Sequence, residues 1–520
     1  MNERLNKLKV MNIRPFVILA VAMMLAVFCA VFISHSARLV LFVIFISLFG
    51  VALSLCLVLK KKFILMISSI CLVLATAFGF VYVKNQTLKS YQKYAGEDVY
   101  VYAKIAEKYK YSSSGNLILN LTDVKIKTNT GYDSINGNIS LYTNPKNLDL
   151  TEFSVGRYLM IKTNLTVFDL CGDFAENKRA VSFLSSGVVG YAYSSFYNIK
   201  PTKNYEENAR DYICSKIWKS LKSVNLEYAD LGYTMLFGES VYLDENVKAE
   251  FRLTGIAHLL AVSGLHFSII FMIISAISKF SKADKRSSLF VQAIIIFLYA
   301  YLCNFSVSVI RAGVMVFIAS YAKIRHKAYD SLSALALIAF IILCVNPFKL
   351  FNISFVLSFI AVFSILTLSP LFKTFFSKIF EDKMASTLAL NMAVQIGMFA
   401  INIYYFGRYA IFSGIINFLL IPIATVAFGT LFVSILLSSA FPLAIYLSKV
   451  FDFLIDIVVK INSYFSSTGI YLKMGSLSIV PVVLILITMV LASEYTFAKK
   501  RNRLIVVSMF TILSGLAFLL

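Results

Sequence analysis

The residues best placed to do chemistry lie in one nine-residue run, His258-Leu-Leu-Ala-Val-Ser263-Gly264-Leu265-His266. Ser263 and His266 are three positions apart, about one helical turn, so a hydroxyl nucleophile and a general base could meet there. A Ser–His intramembrane hydrolase is one reading, although no residue to orient the imidazole is evident. His258 and His266 are eight positions apart, about 12 Å along a continuous helix. Metal ligand pairs sit at i, i+3 or i, i+4, so these two would share an ion only if Ser263-Gly264 broke the helix. No metal and no cofactor are expected. The bland alternative is that the small and polar residues permit close helix packing. The favoured reading is a polar, backbone-exposed element lining a translocation path, because ionisable side chains at membrane depth normally face a cavity.

Other polar residues share this setting. Arg311 sits within the apolar run Val307–Ala319. A charge there costs ~2.5–3.5 kcal/mol on insertion, so it should face the protein interior with phosphate as a transient partner. The competing reading is a side chain snorkelling to the headgroups. Asn346-Pro347, Gln395 and Asn417 with Pro422 recur in apolar runs as well. Proline frees a backbone carbonyl, which a bilayer tolerates only where protein or water satisfies it. Pro422 divides a run of about 28 residues, which reads either as one kinked span or as two re-entrant halves. Lys449, Asp452, Asp456 and Lys460 fall on one helical face and are assigned no role.

The elements that must hold these residues are membrane helices. Of 520 residues, 59% are hydrophobic and 15% charged, against roughly 45–50% and 25% in soluble domains. Mean hydropathy is +0.78. There is no Walker phosphate loop, no Cys-x-x-Cys pair and no His-x-His-x-Asp-His cluster, which argues against nucleotide hydrolysis and metallo-β-lactamase chemistry in this polypeptide. Spans need about 20 apolar residues. Three are expected at Pro15–Ile33, Leu39–Leu59 and Phe63–Val83. About ten more follow from Ile256, beginning with Ile256–Ile277 and including Phe351–Leu368, Ile411–Ser438 and Leu504–Leu520. Basic loops, Lys60-Lys61-Lys62 among them, put the N-terminus in the cytoplasm and the polar segment after the third span outside. That segment, Lys84–Lys200, carries fourteen basic and ten acidic residues, so most of the +22 net charge is a topology signal rather than a nucleic-acid footprint.

The expected organisation is therefore residues 1–83 as N-terminal transmembrane helices, 84–200 as an extracytoplasmic β domain, 201–255 as a helical connector and 256–520 as a polytopic membrane domain. In the β domain, Val99, Val101, Ala103 and Ile105 alternate with polar positions, and Leu117, Leu119 and Leu121 repeat the pattern. Ile139 and Leu141 do so after the Asn136-Gly137 turn, and Val155–Val167 and Val188–Tyr193 add two more strands. Five short strands suggest a small closed barrel, with an OB-fold the natural candidate and a β-sandwich the alternative. Tyr100, Tyr102, Tyr109, Tyr111, Tyr132 and Tyr142 are available to stack on bases. Cys171 and Cys214 could pair in an oxidising exterior, or remain thiols.

The segment Phe251-Arg252-Leu253-Thr254-Gly255 followed by the histidine run resembles the signature of the ComEC family of bacterial competence proteins. Arg311-Ala312-Gly313, Asn346-Pro347-Phe348, Ser354 through Ser358, Gln395-Ile396-Gly397 and Asn417 through Pro422 are similar to further blocks of that family, in order. The resemblance implies a polytopic α-helical membrane protein of the plasma membrane with an extracytoplasmic OB-like domain. It implies a channel for single-stranded DNA during natural transformation, with the path lined by His258, Ser263, Gly264, His266, Arg311, Asn346, Pro347, Ser354, Ser358, Gln395, Asn417 and Pro422. Longer members carry a C-terminal metallo-β-lactamase-like nuclease. With four histidines in all, this chain is expected to lack it and to be no enzyme. Expected partners are single-stranded DNA, a cytoplasmic helicase-like ATPase, an extracellular DNA receptor and the lipid bilayer, with a homo-oligomer left open. The alternatives are a small-solute or lipid transporter and the Ser–His hydrolase.

Overall fold

Long apolar runs satisfy their backbone groups internally as helices, whereas two-residue alternation buries one face of a sheet. Both patterns are present in the computed structural model. It describes residues 14–492 and Met509, except 60–61, 97, 108, 112–114, 129–130, 145–152, 171–173, 196–197, 207, 225, 281–284, 438–440 and 474–479. The expected span Leu504–Leu520 lies outside the described residues. The chain divides into two units, Met1–Ile213 with Ala336–Asn352, and Cys214–Leu335 with Ile353–Leu520.

The first unit opens with α1 (Pro15–Phe32), α2 (His35–Leu59) and α3 (Lys62–Tyr91). Arg38, fully buried, holds the α1–α2 corner by donating to the carbonyls of Ala30 (2.7 Å) and Val31 (3.1 Å), and to that of Leu170 (2.7 Å). The sheet follows as β1 (Asp98–Ile105), β2 (Lys110–Tyr111), β3 (Leu117–Thr128), β4 (Gly131–Ser134), β5 (Asn138–Thr143), β6 (Arg157–Val167), β7 (Val188–Tyr193) and β8 (Ile199–Tyr205), with α4 (Phe174–Ser185) between β6 and β7. Strand pairing runs β1–β3–β5–β7–β6 and returns from β6 to β1; β5–β7 is the parallel pair. The alternating residues Val101, Leu119, Leu141, Ile161 and Ala192 fill its interior.

The second unit contains α5 (Ala209–Ser223) from Cys214 onward, α6 (Ala229–Phe237), α7 (Glu245–Leu253), α8 (Gly264–Phe280), α9 (Lys285–Leu302) and α10 (Val307–Ile324). Then come α11 (Ser331–Val345), whose later part groups with the first unit, α12 (Ile353–Phe376) and α13 (Asp382–Phe406). The rest is β9 (Arg408–Ala410), α14 (Ser413–Leu436), α15 (Phe441–Ser467), β10 (Tyr471–Lys473) and α16 (Val480–Ala492). Among the described residues, seven helices are long and apolar enough to cross a membrane: α1–α3, α10 and α12–α14. Four shorter apolar helices (α8, α9, α11 and α16) accompany them.

One expectation changes, and of the two readings of Pro422 the single span holds. The apolar run Ile256–Ile277 is not one helix: α8 begins only at Gly264, and residues 256–263 hold no more than a 3-10 turn at Ala257–Leu259. Pro422 neither splits nor ends α14, which is continuous over 24 residues.

α12, α13 and α16 pack through a stripe of small buried residues on α13, namely Ala385, Ala389, Ala393, Gly397 and Ala400. A Cβ at Gly397 would overlap Ser364 and Met489, so glycine is what lets these helices approach. The hydroxyls here are satisfied within their own helix. Ser364 donates to Ile360 O (2.6 Å) and Thr367 to Phe363 O (2.7 Å).

Candidate functional site

The start of α8 is set by Ser263. Its Oγ accepts from His266 N (3.4 Å), and His266 Nδ1 accepts from Ser263 N (3.3 Å). This reciprocal pair is a capping box with histidine in the place of glutamate. It explains the Ser-x-x-His spacing without a nucleophile, since a hydrolase would need the hydroxyl to donate to a ring nitrogen. The imidazole is 1% exposed and stacks on Phe428 of α14, centroids 4.4 Å apart.

Upstream, the chain descends along α14. Gly255 has φ +82°, and a Cβ on it would lie 2.8 Å from that of Ser413, the first residue of α14. His266 meets Phe428, fifteen positions further along that helix, about 22 Å at 1.5 Å per residue. The chain covers this in eleven steps, where a helix would advance only about 16 Å. Gly238, the left-handed C-cap of α6, supports the lower part. A Cβ there would stand 3.3 Å from Val262 N. His258 and Ala261 remain exposed. Backbone without helical bonding at such depth is tolerated where protein encloses it or where it borders water.

Polar clusters lie at both ends of this descent. At the lower end, Arg311 of α10 is 7% exposed and donates through Nη1 to Ser358 O of α12. Ser308 Oγ bonds Ser358 Oγ at 3.1 Å. Arg311 Nη2 would lie 3.4 Å from a Cβ on Gly264. Arg311 Nε has no partner, and no carboxylate pairs with this guanidinium among the described residues. At the upper end, Gln395 Oε1 of α13 accepts from Tyr409 Oη (2.7 Å) and Ser413 Oγ (3.0 Å), and Asn391 Nδ2 donates to Gly414 O (2.7 Å). Asn417 follows one turn along α14 with its Oδ1 unpartnered among the described residues. Thr254 Oγ1, just before Gly255, donates to the buried Asn462 of α15 at 2.5 Å.

The residues singled out by sequence thus separate. Ser263, Gly264, His266, Arg311 and Ser358 come together; Gln395 and Asn417 join the upper cluster, with Pro422 further along α14. Ser354 is exposed on α12. Asn346 and Pro347 belong to the first unit, where Asn346 Oδ1 caps a 3-10 turn by accepting from Phe348 N (3.0 Å). Asp452 and Asp456 acquire a structural role: Asp452 accepts from Glu227 N (3.0 Å) and Tyr228 N (3.2 Å), and Asp456 from Tyr228 Oη (2.8 Å), fastening the start of α6. Cys171 lies outside the described residues, and so does its pairing with Cys214. Phe428, Ser413, Tyr409 and Gly238 were not legible as site residues. The Gly238–Val262 and Gly255–Ser413 approaches are tertiary facts with no local sequence mark.

On the sheet, Tyr102 stacks on Tyr158 (5.0 Å), whose Oη donates to Glu206 Oε2 (3.2 Å), while Lys104 Nζ reaches the same carboxylate (3.1 Å). Burial, then the Glu206 bond, pushes the Tyr158 phenol up to about 12. The Lys104 ammonium holds Glu206 below the usual carboxylate range. Tyr100 and Tyr132 are exposed. The Tyr111 side chain lies outside the described residues.

Comparison with known proteins gives a consistent result. Residues 235–497 match the family model described as "Competence protein". ComE operon protein 3 of Bacillus subtilis (strain 168) is 26% identical over 273 residues, covering 51% of this chain and 34% of that protein. An uncharacterized protein of Aquifex aeolicus (strain VF5) is 28% identical over 213 residues, 37% of this chain and 50% of that protein. The matched regions thus span a third to a half of these relatives. No solved structure matches the chain.

Proposed function

The chain belongs to the competence protein family, and from that premise we propose that it conducts single-stranded DNA across the plasma membrane during natural transformation. The passage is walled by the unwound segment 256–263 and by α8, α10, α12 and α14. His258, Ser263, Gly264, His266, Arg311, Ser358 and Asn417 border it. The observation that carries this reading is the irregular backbone of residues 256–263, which takes up most of a path of about 22 Å alongside α14, because such backbone in a bilayer needs either enclosure or water, and His258 and Ala261 are accessible.

The β domain is the receiving surface. The return of strand pairing from β6 to β1 supports an OB-like barrel, whose exposed tyrosines would stack on bases. The orientation that goes with this puts the N-terminus in the cytoplasm and the β domain outside. Force comes from a separate cytoplasmic helicase-like ATPase, and an extracellular receptor delivers the DNA.

Entry of labelled DNA into competent cells tests the reading. A His258→Ala/His266→Ala variant present at normal levels in the membrane is expected to lose most uptake. Unchanged uptake in that variant contradicts the proposal.

A further inference from the structure

We propose that Arg311 and the first turn of α8 form a binding site for a single phosphodiester anion. The proposal deepens the passage reading and rests on it only for the source of the phosphate, a strand of nucleic acid.

Two independent features converge on the same point. The first is a guanidinium that is more than nine-tenths buried. It is satisfied at Nη1 by one carbonyl, lacks a partner at Nε, and has no acidic counterpart among the described residues. A buried positive charge is ordinarily paired, and leaving it unpaired is costly. Retaining one here therefore points to a ligand that supplies the negative charge. The second is the amino end of a 17-residue helix. The N–H groups of Gly264 and Leu265 have no acceptor among the described residues, because Ser263 and His266 cap only each other and Phe267 N bonds Ser263 O. Free N–H groups and the helix dipole favour an anion at that end.

Gly264 connects the two. It does not occupy a left-handed conformation, so its backbone does not require glycine. A methyl group there would stand 3.4 Å from Arg311 Nη2 and 3.6 Å from Ala312 Cβ, in ordinary contact with both. Glycine leaves the guanidinium uncovered by a side chain on the side that faces the helix end. The ligand class follows from the donors: a tetrahedral oxyanion of single charge, held by the guanidinium fork on one side and main-chain N–H groups on the other. A phosphodiester matches this, and its single charge against one arginine allows release to the next residue of a moving strand.

The test uses the full chain in maltoside micelles, which contain no phosphate, with Trp218, the single tryptophan, reporting thermal unfolding. Dimethyl phosphate at constant ionic strength is the probe. The wild type is expected to show a saturable rise in midpoint. Arg311→Gln and Gly264→Ala should weaken the apparent affinity about tenfold or more, with the ligand-free midpoint of Gly264→Ala unchanged and Arg311→Lys intermediate. No saturable rise, or an equal rise in wild type and Arg311→Gln, overturns the site. Short oligothymidylate and dihexanoyl phosphatidylglycerol separate the sources. An Arg311-dependent shift with oligothymidylate supports the assignment to a strand, and one with the lipid alone overturns it. Binding lost and uptake kept in Arg311→Gln sinks the passage but leaves the site standing. Uptake lost in Arg311→Gln, with no dimethyl phosphate binding in the wild type, sinks the site but leaves the passage.

Discussion

Two parts of the second unit treat polar groups in opposite ways. Where α12, α13 and α16 meet, small residues recur along α13 three or four positions apart, helices approach closely, and Ser364 and Thr367 each bond their own helix. These two hydroxyls are already satisfied, so they cost little and the contact needs no water. Along the segment from Gly255 to Ser263 the backbone is unwound, and among the described residues α8 begins with unpaired N–H groups beside an uncompensated arginine. Polar composition alone does not distinguish glue from passage; the difference lies in whether each donor is already satisfied. Small residues serve both regions for different reasons. Gly397 brings helices together, whereas Gly264 leaves the Arg311 guanidinium uncovered by a side chain.

Substitutions should therefore part into two classes. The largest expected effect is in the dry region. Gly397→Leu forces a side chain into Ser364 and Met489 and should lower stability by about 3 kcal/mol or more, read as thermal unfolding in detergent. Gly397→Ala should lower it by roughly 1–3 kcal/mol, with phosphate binding by the folded fraction unaltered. Arg311→Met should do the reverse, leaving stability equal or raised by about 1–3 kcal/mol because a buried unpaired charge is removed, while uptake of labelled DNA falls at least about tenfold. A destabilised Arg311→Met with normal uptake would erase the contrast between the regions. Ser263→Ala removes half the capping box and should cost about 1 kcal/mol, and Ser263→Thr should restore it. If a hydrolase operated instead, threonine would not restore function alongside stability.

The smallest effect lies on the sheet and is one of pH. Glu206 has a lowered folded pKa, so its contribution is present above the unfolded carboxylate value and fades as pH falls through the folded one. Tyr158 has a raised value, so its contribution is complete below about 10 and fades as pH rises through about 12. Protease resistance of the sheet in the full chain should thus decline at both limits, and Tyr158→Phe should weaken the alkaline limb.

The strands were legible because alternation of apolar residues follows directly from the pleat; Val101, Leu119 and Leu141 are buried as that period requires. Most apolar runs after residue 280 became helices for the same kind of reason. The signature was the exception. Hydropathy weighs side chains, and His-Leu-Leu-Ala-Val reads as span, but what decides the backbone there is Gly255, Gly238 and the Ser263 cap, two of which act through contacts distant in sequence. Of the site, Arg311 and the Ser263–His266 group could be singled out by type and spacing. Their division from Gln395 could not, because which polar residues are already satisfied depends on partners such as Tyr409 and Ser413. Arg38 illustrates the same limit, since an arginine at the edge of an apolar run gives no hint that Leu170 will cap it.

Thiol accessibility reports most directly on whether water enters the unwound segment. In intact cells carrying a cysteine-free background, Ala261→Cys and Ala393→Cys can be treated from outside with a charged, membrane-impermeant methanethiosulfonate. Ala261 is exposed within the signature and Ala393 is fully buried on the small-residue stripe. Rapid modification at 261, blocked by DNA in transit, with none at 393, is the expected result. Equal inertness at both positions would contradict a hydrated passage there.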